Sequence, residues 1–211
     1  MNVIKYVLLS DGSSDKMLMP ILDWLLRSKC QNYAIYSEWA DLGRLRHPPK
    51  TLTAKIRKTL ELYEPDLLFI HRDTEKQPFT LRRQQVIDDL VGQTNPPAVC
   101  VIPIRMQEAW LLFEEAAIRK ASGNPNGEMA LRLPPIDEIE SLPDPKKLLL
   151  ELINKASGFT GRRLKKLKTK KLAHLVSQQI DDFASLRALS AFQALESDLS
   201  TVVQEKSWHT P

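Results

Sequence analysis

Cysteine is scarce in this chain. Its 211 residues contain two, Cys30 and Cys100, with no CxxC pair and no neighbouring pair of histidines. A disulfide framework and a thiolate zinc site are both excluded, and two packed thiols in a reducing compartment are expected. No apolar run approaches the roughly 20 residues that span a bilayer, so no membrane partner is expected. The opening MNVIKYVLLSDGSSD turns polar directly after a short apolar run and shows no small-residue cleavage pattern. It reads as a first strand, and the chain as cytoplasmic. A Gly-Lys-Ser/Thr phosphate loop is missing as well. Asp11-Gly12-Ser13-Ser14 could cradle a phosphate at a helix start, but without the lysine a small-molecule phosphotransferase has no nucleotide motif to rest on. No internal repeat is present.

What is there has the composition of an ordinary globular protein, 43% hydrophobic and 27% charged, with length for one sizeable core and an appendage but not for two large domains. Charge is uneven. The net charge is +4, yet Arg162, Arg163, Lys165, Lys166, Lys168, Lys170 and Lys171 fall within ten residues that hold no acid, so the rest of the chain sums to −3. Basicity this local reads as a docking surface.

Hydrophobic periodicity divides the chain at about residue 122. Up to there strands and helices alternate. Strands are predicted at residues 3–9, 34–39, 67–70 and 99–104, the last ended by Pro103. The first helix carries Met17, Leu18, Ile21, Leu22 and Leu25, with Ser13 or Ser14 as cap and Asp15 in its first turn; others are predicted at 51–63, 80–91 and 106–121. Alternation of this kind predicts an α/β fold with a mostly parallel sheet flanked by helices. Residues 123–211 contain Asn124-Pro125-Asn126-Gly127 and a proline-punctuated connection, and show no clear strand. Helices are expected there at 144–156 with Asp144 as cap, through the basic stretch with Leu164 and Leu167 turned inward, and at 172–180 and 186–204. The expected organisation is a sheet domain, 1–122, with a helical C-terminal region, 123–211.

The stretch DLLFIHRDTE, residues 66–75, organises the rest: an unbroken apolar run, suited to a strand covered on both faces, ends abruptly in charge. If the strands are parallel, Asp11, Asp73 and Glu108, each just past a strand, share one edge with Glu75. Carboxylates gathered there repel, and a divalent cation, Mg²⁺ or Mn²⁺, relieves that repulsion while activating water at a phosphodiester. His71 could act as general acid or base or simply be hydrogen-bonded at the strand end. Glu108 could equally do no more than favour a helix dipole. Arg72 and Arg105 could hold a phosphate or pair with the acids. Trp110 is expected in the core, and His174 and His209, without companions, receive no role.

Asp11-Gly12 after the first strand, the Asp73 strand end and Gln107-Glu108-Ala109-Trp110 together resemble the Toprim-like proteins related to OLD-type nucleases, a group often found with ABC-type ATPases. The likeness covers about residues 3–120. It implies a Toprim-like sheet, a Mg²⁺ site with Asp11, Asp73, Glu75 and Glu108 as ligands, cleavage of nucleic-acid phosphodiesters, an ATPase partner and a part in defence against foreign DNA. Two positions depart from that family's pattern: an Asp stands where Glu is usual, and His71-Arg72-Asp73 replaces an Asp-x-Asp pair. Glu75 or Asp15 would then supply the missing charge.

The basic residues from Arg162 to Lys171 suit a phosphate backbone, DNA in preference to RNA, through sequence-independent and salt-sensitive contacts. A solvated face or an acidic partner protein fits the same charge. The leading expectation is a Mg²⁺-dependent nuclease or nuclease subunit. The alternative is a catalytically degenerate module of the same fold that binds nucleic acid or a partner without cleavage.

Overall fold

A computed structural model describes residues 2–90, 92 and 95–208. Strands β1 (Asn2–Leu9), β2 (Tyr33–Trp39), β3 (Leu67–His71) and β4 (Ala98–Val101) form one sheet in the order β2-β1-β3-β4, parallel throughout. All five residues of β3 are buried, as its unbroken apolar run requires of an interior strand.

Helices cover both faces. Ile4, Tyr6, Leu8, Leu67, Phe69, Val99 and Val101 point to one apolar cluster, whereas Val7, Leu9, Leu68, Ile70 and Cys100 point to the other, the period-two alternation of a pleated sheet. The first cluster packs under α1 (Met19–Lys29) and the second under α2 (Leu52–Tyr63) and α3 (Phe79–Asp89). The chain enters in the interior at β1, places β2 outside it, then crosses back to β3 and β4. A reversal of direction therefore falls between β1 and β3, and the crevice beyond such a reversal is where open parallel sheets take ligands.

The C-terminal region is helical among its described residues. After α4 (Glu115–Ala121) it comprises α5 (Pro145–Ala156), α6 (Gly161–Lys166), α7 (Thr169–Val176) and α8 (Ser190–Glu205), with short 3-10 turns between. Ile153, Val176, Phe183, Phe192 and Leu199 join the same cluster as Tyr6 and Phe69, so residues on both sides of position 122 share one core. Trp110 is fully buried, edge-on to Phe192 at 5.5 Å. Burial of each such side chain contributes roughly 1.5–3 kcal/mol.

Several boundaries differ from expectation for physical reasons. The stretch 106–121 is two elements, a 3-10 helix Gln107–Leu111 and α4, with Glu114 capping the second through the Ala116 N–H at 3.2 Å. Trp110, Leu111 and Leu112 are all buried in succession, which one helical face cannot accommodate at 100° per residue. The basic stretch breaks at Leu167, whose ψ of 124° is extended, because like charges three and four apart oppose a continuous helix. The first helix opens as a 3-10 turn, Ser13–Leu18, capped at Gly12 in place of either serine. The third helix starts at Phe79; Val91, its expected last residue, lies outside the described residues, as does His209. Thr51 and Asp144 cap α2 and α5 through the N–H groups of Ala54 and Lys147. Among the described residues no helix is long and apolar enough to cross a membrane.

Candidate functional site

Three strand ends build the site. After β1 the chain turns through Ser10-Asp11-Gly12 into the 3-10 turn, which buries Asp15. Its Oδ2 accepts the Gly12 N–H at 3.0 Å, and its Oδ1 accepts the Ser14 hydroxyl at 2.9 Å and the Gln107 Nε2 at 2.7 Å. Asp73 follows β3 by two residues, and its Oδ1 accepts the Gln107 backbone N–H at 2.8 Å. Gln107, in the turn after β4, therefore joins the two acids with its backbone and its side chain. Its remaining oxygen, Oε1, is buried and meets no donor in the protein, a situation that costs about 1–3 kcal/mol.

Glu108, 3% exposed, carries its Oε1 2.9 Å from the Nζ of Lys146 in the first turn of α5. Asp15, Asp73 and Glu108 lie close enough to act on one another. Burial pushes the Asp73 carboxyl up to about 6, the charges of Glu108 and Asp15 add to the rise, and His71 and the Gln107 N–H oppose it. Partial burial works against the Lys146 ammonium, but the Glu108 contact and the charges of Asp73 and Asp15 outweigh it and raise its pKa.

His71 is buried, and its Nδ1 donates to the Val101 carbonyl at 2.9 Å. That bond fixes the proton on Nδ1 and turns Nε2 toward Asp73 Oδ1 at 3.5 Å, within charge–charge range although long for a hydrogen bond. The two side chains are placed to hold one proton between them, and both open on a cleft of about 410 Å³ with Asp11, Asp15, Glu75, Arg72 and Arg82 in its walls.

The other residues expected at this edge have distinct places. Asp11 lies on the cleft rim with a half-exposed side chain, paired with Lys55 at 2.6 Å and with Arg72. Asp15 takes the inner position among the acids. Glu75 is exposed on the rim in a left-handed conformation, φ 53°, and Arg105 matches it at φ 65°. They are tied by the Glu75 N–H to the Arg105 carbonyl at 3.0 Å and by Arg105 Nη1 to the Glu75 carbonyl at 3.3 Å. Left-handed backbone at non-glycine residues stores about 1 kcal/mol or more each. Arg105 lines the adjacent groove, beside Glu75 and Glu140. Burial and then the neighbouring charge of Arg82 lower the pKa of Arg72, and Arg82 has a buried Nε without a partner. Two guanidinium groups on one cleft wall are suited to an anion.

The basic run reaches the site through α7. Arg162, Arg163, Lys165, Lys166, Lys168, Lys170 and Lys171 are all exposed, and none of them makes an ion pair among the described residues. Lys170 and His174, one turn apart on α7, line a small cavity of about 140 Å³ with Glu108, Lys146 and Ser14. His174 thus gains the companions that the sequence did not suggest.

Sequence reasoning gave no role to Gln107, Lys146 or Arg82, and treated Asp15 as a first-turn acid of the first helix and a substitute for the missing charge. A signal existed for two of them. Asp15 lies one helical turn beyond Asp11, and Lys146 with Lys147 occupies the first turn of a helix, where the dipole disfavours cations unless acids face them. Among the described residues no group of three or more His, Cys, Asp or Glu is arranged to hold a metal ion as it stands, and Gln107, Ser14 and Lys146 engage the carboxylates. In chemistry the donors nonetheless suit a hard divalent cation: three carboxylates and one unpartnered amide oxygen. Comparison of the chain with family models, with curated proteins and with solved structures finds no match.

Proposed function

We propose that this chain is a divalent-metal-dependent, Toprim-like nuclease or nuclease subunit that hydrolyses nucleic-acid phosphodiesters. The observation that carries the reading is the convergence of Asp15, Asp73 and Glu108 beside the free Gln107 oxygen, at the reversal point of a parallel sheet. Asp15, Asp73 and Glu108, with the Gln107 amide oxygen, would hold Mg²⁺ or Mn²⁺, and Asp11 and Glu75 would serve from the rim. When bound, the cation supplies a water activated for attack and charge neutralisation at the phosphate.

The protein's own groups do the rest. His71, whose Nε2 faces Asp73, would hold a proton at the cleft floor for the departing oxygen. Arg72 and Arg82 offer a forked anion site on the wall, with Arg105 beside the neighbouring groove. With Glu108 engaged by a cation, the Lys146 ammonium now paired with it would be available to a phosphate. The exposed cations of α6 and α7 grip the strand through its backbone, DNA in preference to RNA. An ABC-type ATPase partner and a role in defence against foreign DNA belong to the same reading, through the resemblance of the Asp11, Asp73 and Gln107-Glu108 motifs.

The experiment is cleavage of single- and double-stranded DNA and of RNA in Mg²⁺ or Mn²⁺, by wild type and by Asp73→Asn. Metal-dependent cleavage lost in a folded Asp73→Asn protein supports the proposal, and equal cleavage by the two removes Asp73 from the mechanism. The Lys146–Glu108 pair at 2.9 Å favours a second reading, a degenerate module in which the lysine permanently replaces the metal. That module would bind nucleic acid with no dependence on Mn²⁺ and would cleave none.

A further inference from the structure

A second cleft, of about 360 Å³, opens on the far side of the Asp11–Gly12 turn. Its walls are Trp39 at the end of β2, Leu42, Pro48 and Pro49, with Ser13, Asp41 and Lys55 at its mouth. The volume is within the range of small-ligand sites, about 300–1,000 Å³, and the lining is mixed: Trp39, Leu42, Pro48 and Pro49 give apolar surface among Ser10, Asp11, Ser13, Asp41 and Lys55. The cleft shares Asp11 and Gly12 with the acid cleft, so one ligand can reach both.

Trp39 is held ready for such a ligand. Its Nε1 donates to the Ser10 hydroxyl at 2.8 Å, and the Lys16 ammonium lies 4.5 Å from the ring centroid. These contacts fix the ring before anything binds, which removes an ordering cost from binding, and because the ammonium lies over one ring face a stacking base takes the opposite one. β2 is an edge strand of the sheet. On the wall between the clefts, Lys55 and Arg72 share the single carboxylate of Asp11, leaving one positive charge where the two spaces meet.

We infer that this cleft is a subsite for an unpaired nucleobase, stacked on Trp39 while the phosphate of the same nucleotide meets Lys55 and Arg72. A base in a stacked duplex cannot enter a pocket of this size without leaving its helix. The inference deepens the nuclease reading and rests on it for the identity of the ligand: the substrate is single-stranded or locally unpaired at the site.

The test uses the full chain in metal-free buffer, so that binding is read without cleavage. Fluorescence anisotropy compares a labelled thymidine dodecamer, the same backbone with every base removed, a uridine dodecamer and a 12-bp duplex. Stacking of one base on an aromatic ring corresponds to about a 5- to 150-fold gain in affinity. Wild type should therefore bind at least one based single strand that much more tightly than the abasic strand. Trp39→Phe should keep most of the gain, and Trp39→Ala should lose it. Gly43→Phe adds a bulky side chain to the cleft lining and leaves Trp39 in place. Position 43 has room for a β carbon, the nearest atom being Asp41 Oδ1 at 3.9 Å, and this variant too should lose the gain. Equal binding of based and abasic strands by wild type overturns the subsite, as does a gain that survives in both Trp39→Ala and Gly43→Phe. Base-dependent binding without metal-dependent cleavage would leave the subsite standing and the nuclease reading fallen; cleavage without base dependence would do the reverse.

Discussion

Asp73→Asn should make the protein more stable while disabling it. In the native state burial and the charges of Glu108 and Asp15 raise the Asp73 carboxyl from its ordinary 3.8 to about 6. Below pH 3.8 it is protonated in both the folded and unfolded chain and contributes no difference. Between pH 4 and 6 the unfolded chain releases the proton and the native state retains it, so stability falls as pH rises through that window and is level above it. The full displacement corresponds to roughly 3 kcal/mol. With 27% of the side chain in contact with water, about 1–3 kcal/mol is the working range. Asparagine keeps an Oδ1 to accept the Gln107 N–H and cannot ionise. Urea unfolding at half-unit steps from pH 4 to 8 measures the effect. The variant should match wild type near pH 4 and exceed it by about 1–3 kcal/mol at pH 7.5, and Mg²⁺ should stabilise wild type alone. A variant less stable at pH 7.5, or a difference that does not change with pH, would refute the electrostatic account of the cluster.

Two further outcomes are expected. Replacing Lys165, Lys166, Lys170 and Lys171 with Gln should flatten the dependence of log K on log salt for DNA by about 0.9 for each lysine that meets a phosphate, read by anisotropy between 50 and 200 mM salt; an unchanged slope would place the strand elsewhere. Burial raises both Cys30 and Cys100 thiols to about 11, so a maleimide at pH 8 should label neither in the native protein and both in denaturant. Rapid native labelling of either would contradict its packing.

Much of the fold was legible because the sheet writes its environment into the sequence. Leu67 to Ile70 is apolar without interruption because β3 is covered on both faces, and the helix-period residues Ile21, Leu22 and Leu25 lie under it as spaced. Boundaries failed where tertiary burial overrode local period, as with the consecutive buried residues Trp110, Leu111 and Leu112. The site was legible to the level of the strand edge, since a parallel sheet brings its C-terminal ends together whatever their separation in sequence. Which acid faces inward was not. Asp11 and Asp15 are four residues apart, and the choice between them is made by Gln107, 92 positions beyond Asp15. Lys146 likewise reaches Glu108 only because α5 packs against the turn after β4, a contact no local pattern encodes.

The most direct test is Mn²⁺ binding, followed by the electron paramagnetic resonance signal of the free ion in titrations of wild type, Asp15→Asn and Asp11→Asn. The account predicts that wild type takes up Mn²⁺, that Asp15→Asn loses this capacity, and that Asp11→Asn retains it to within a few fold. No uptake by wild type, or uptake undiminished in Asp15→Asn, would contradict it.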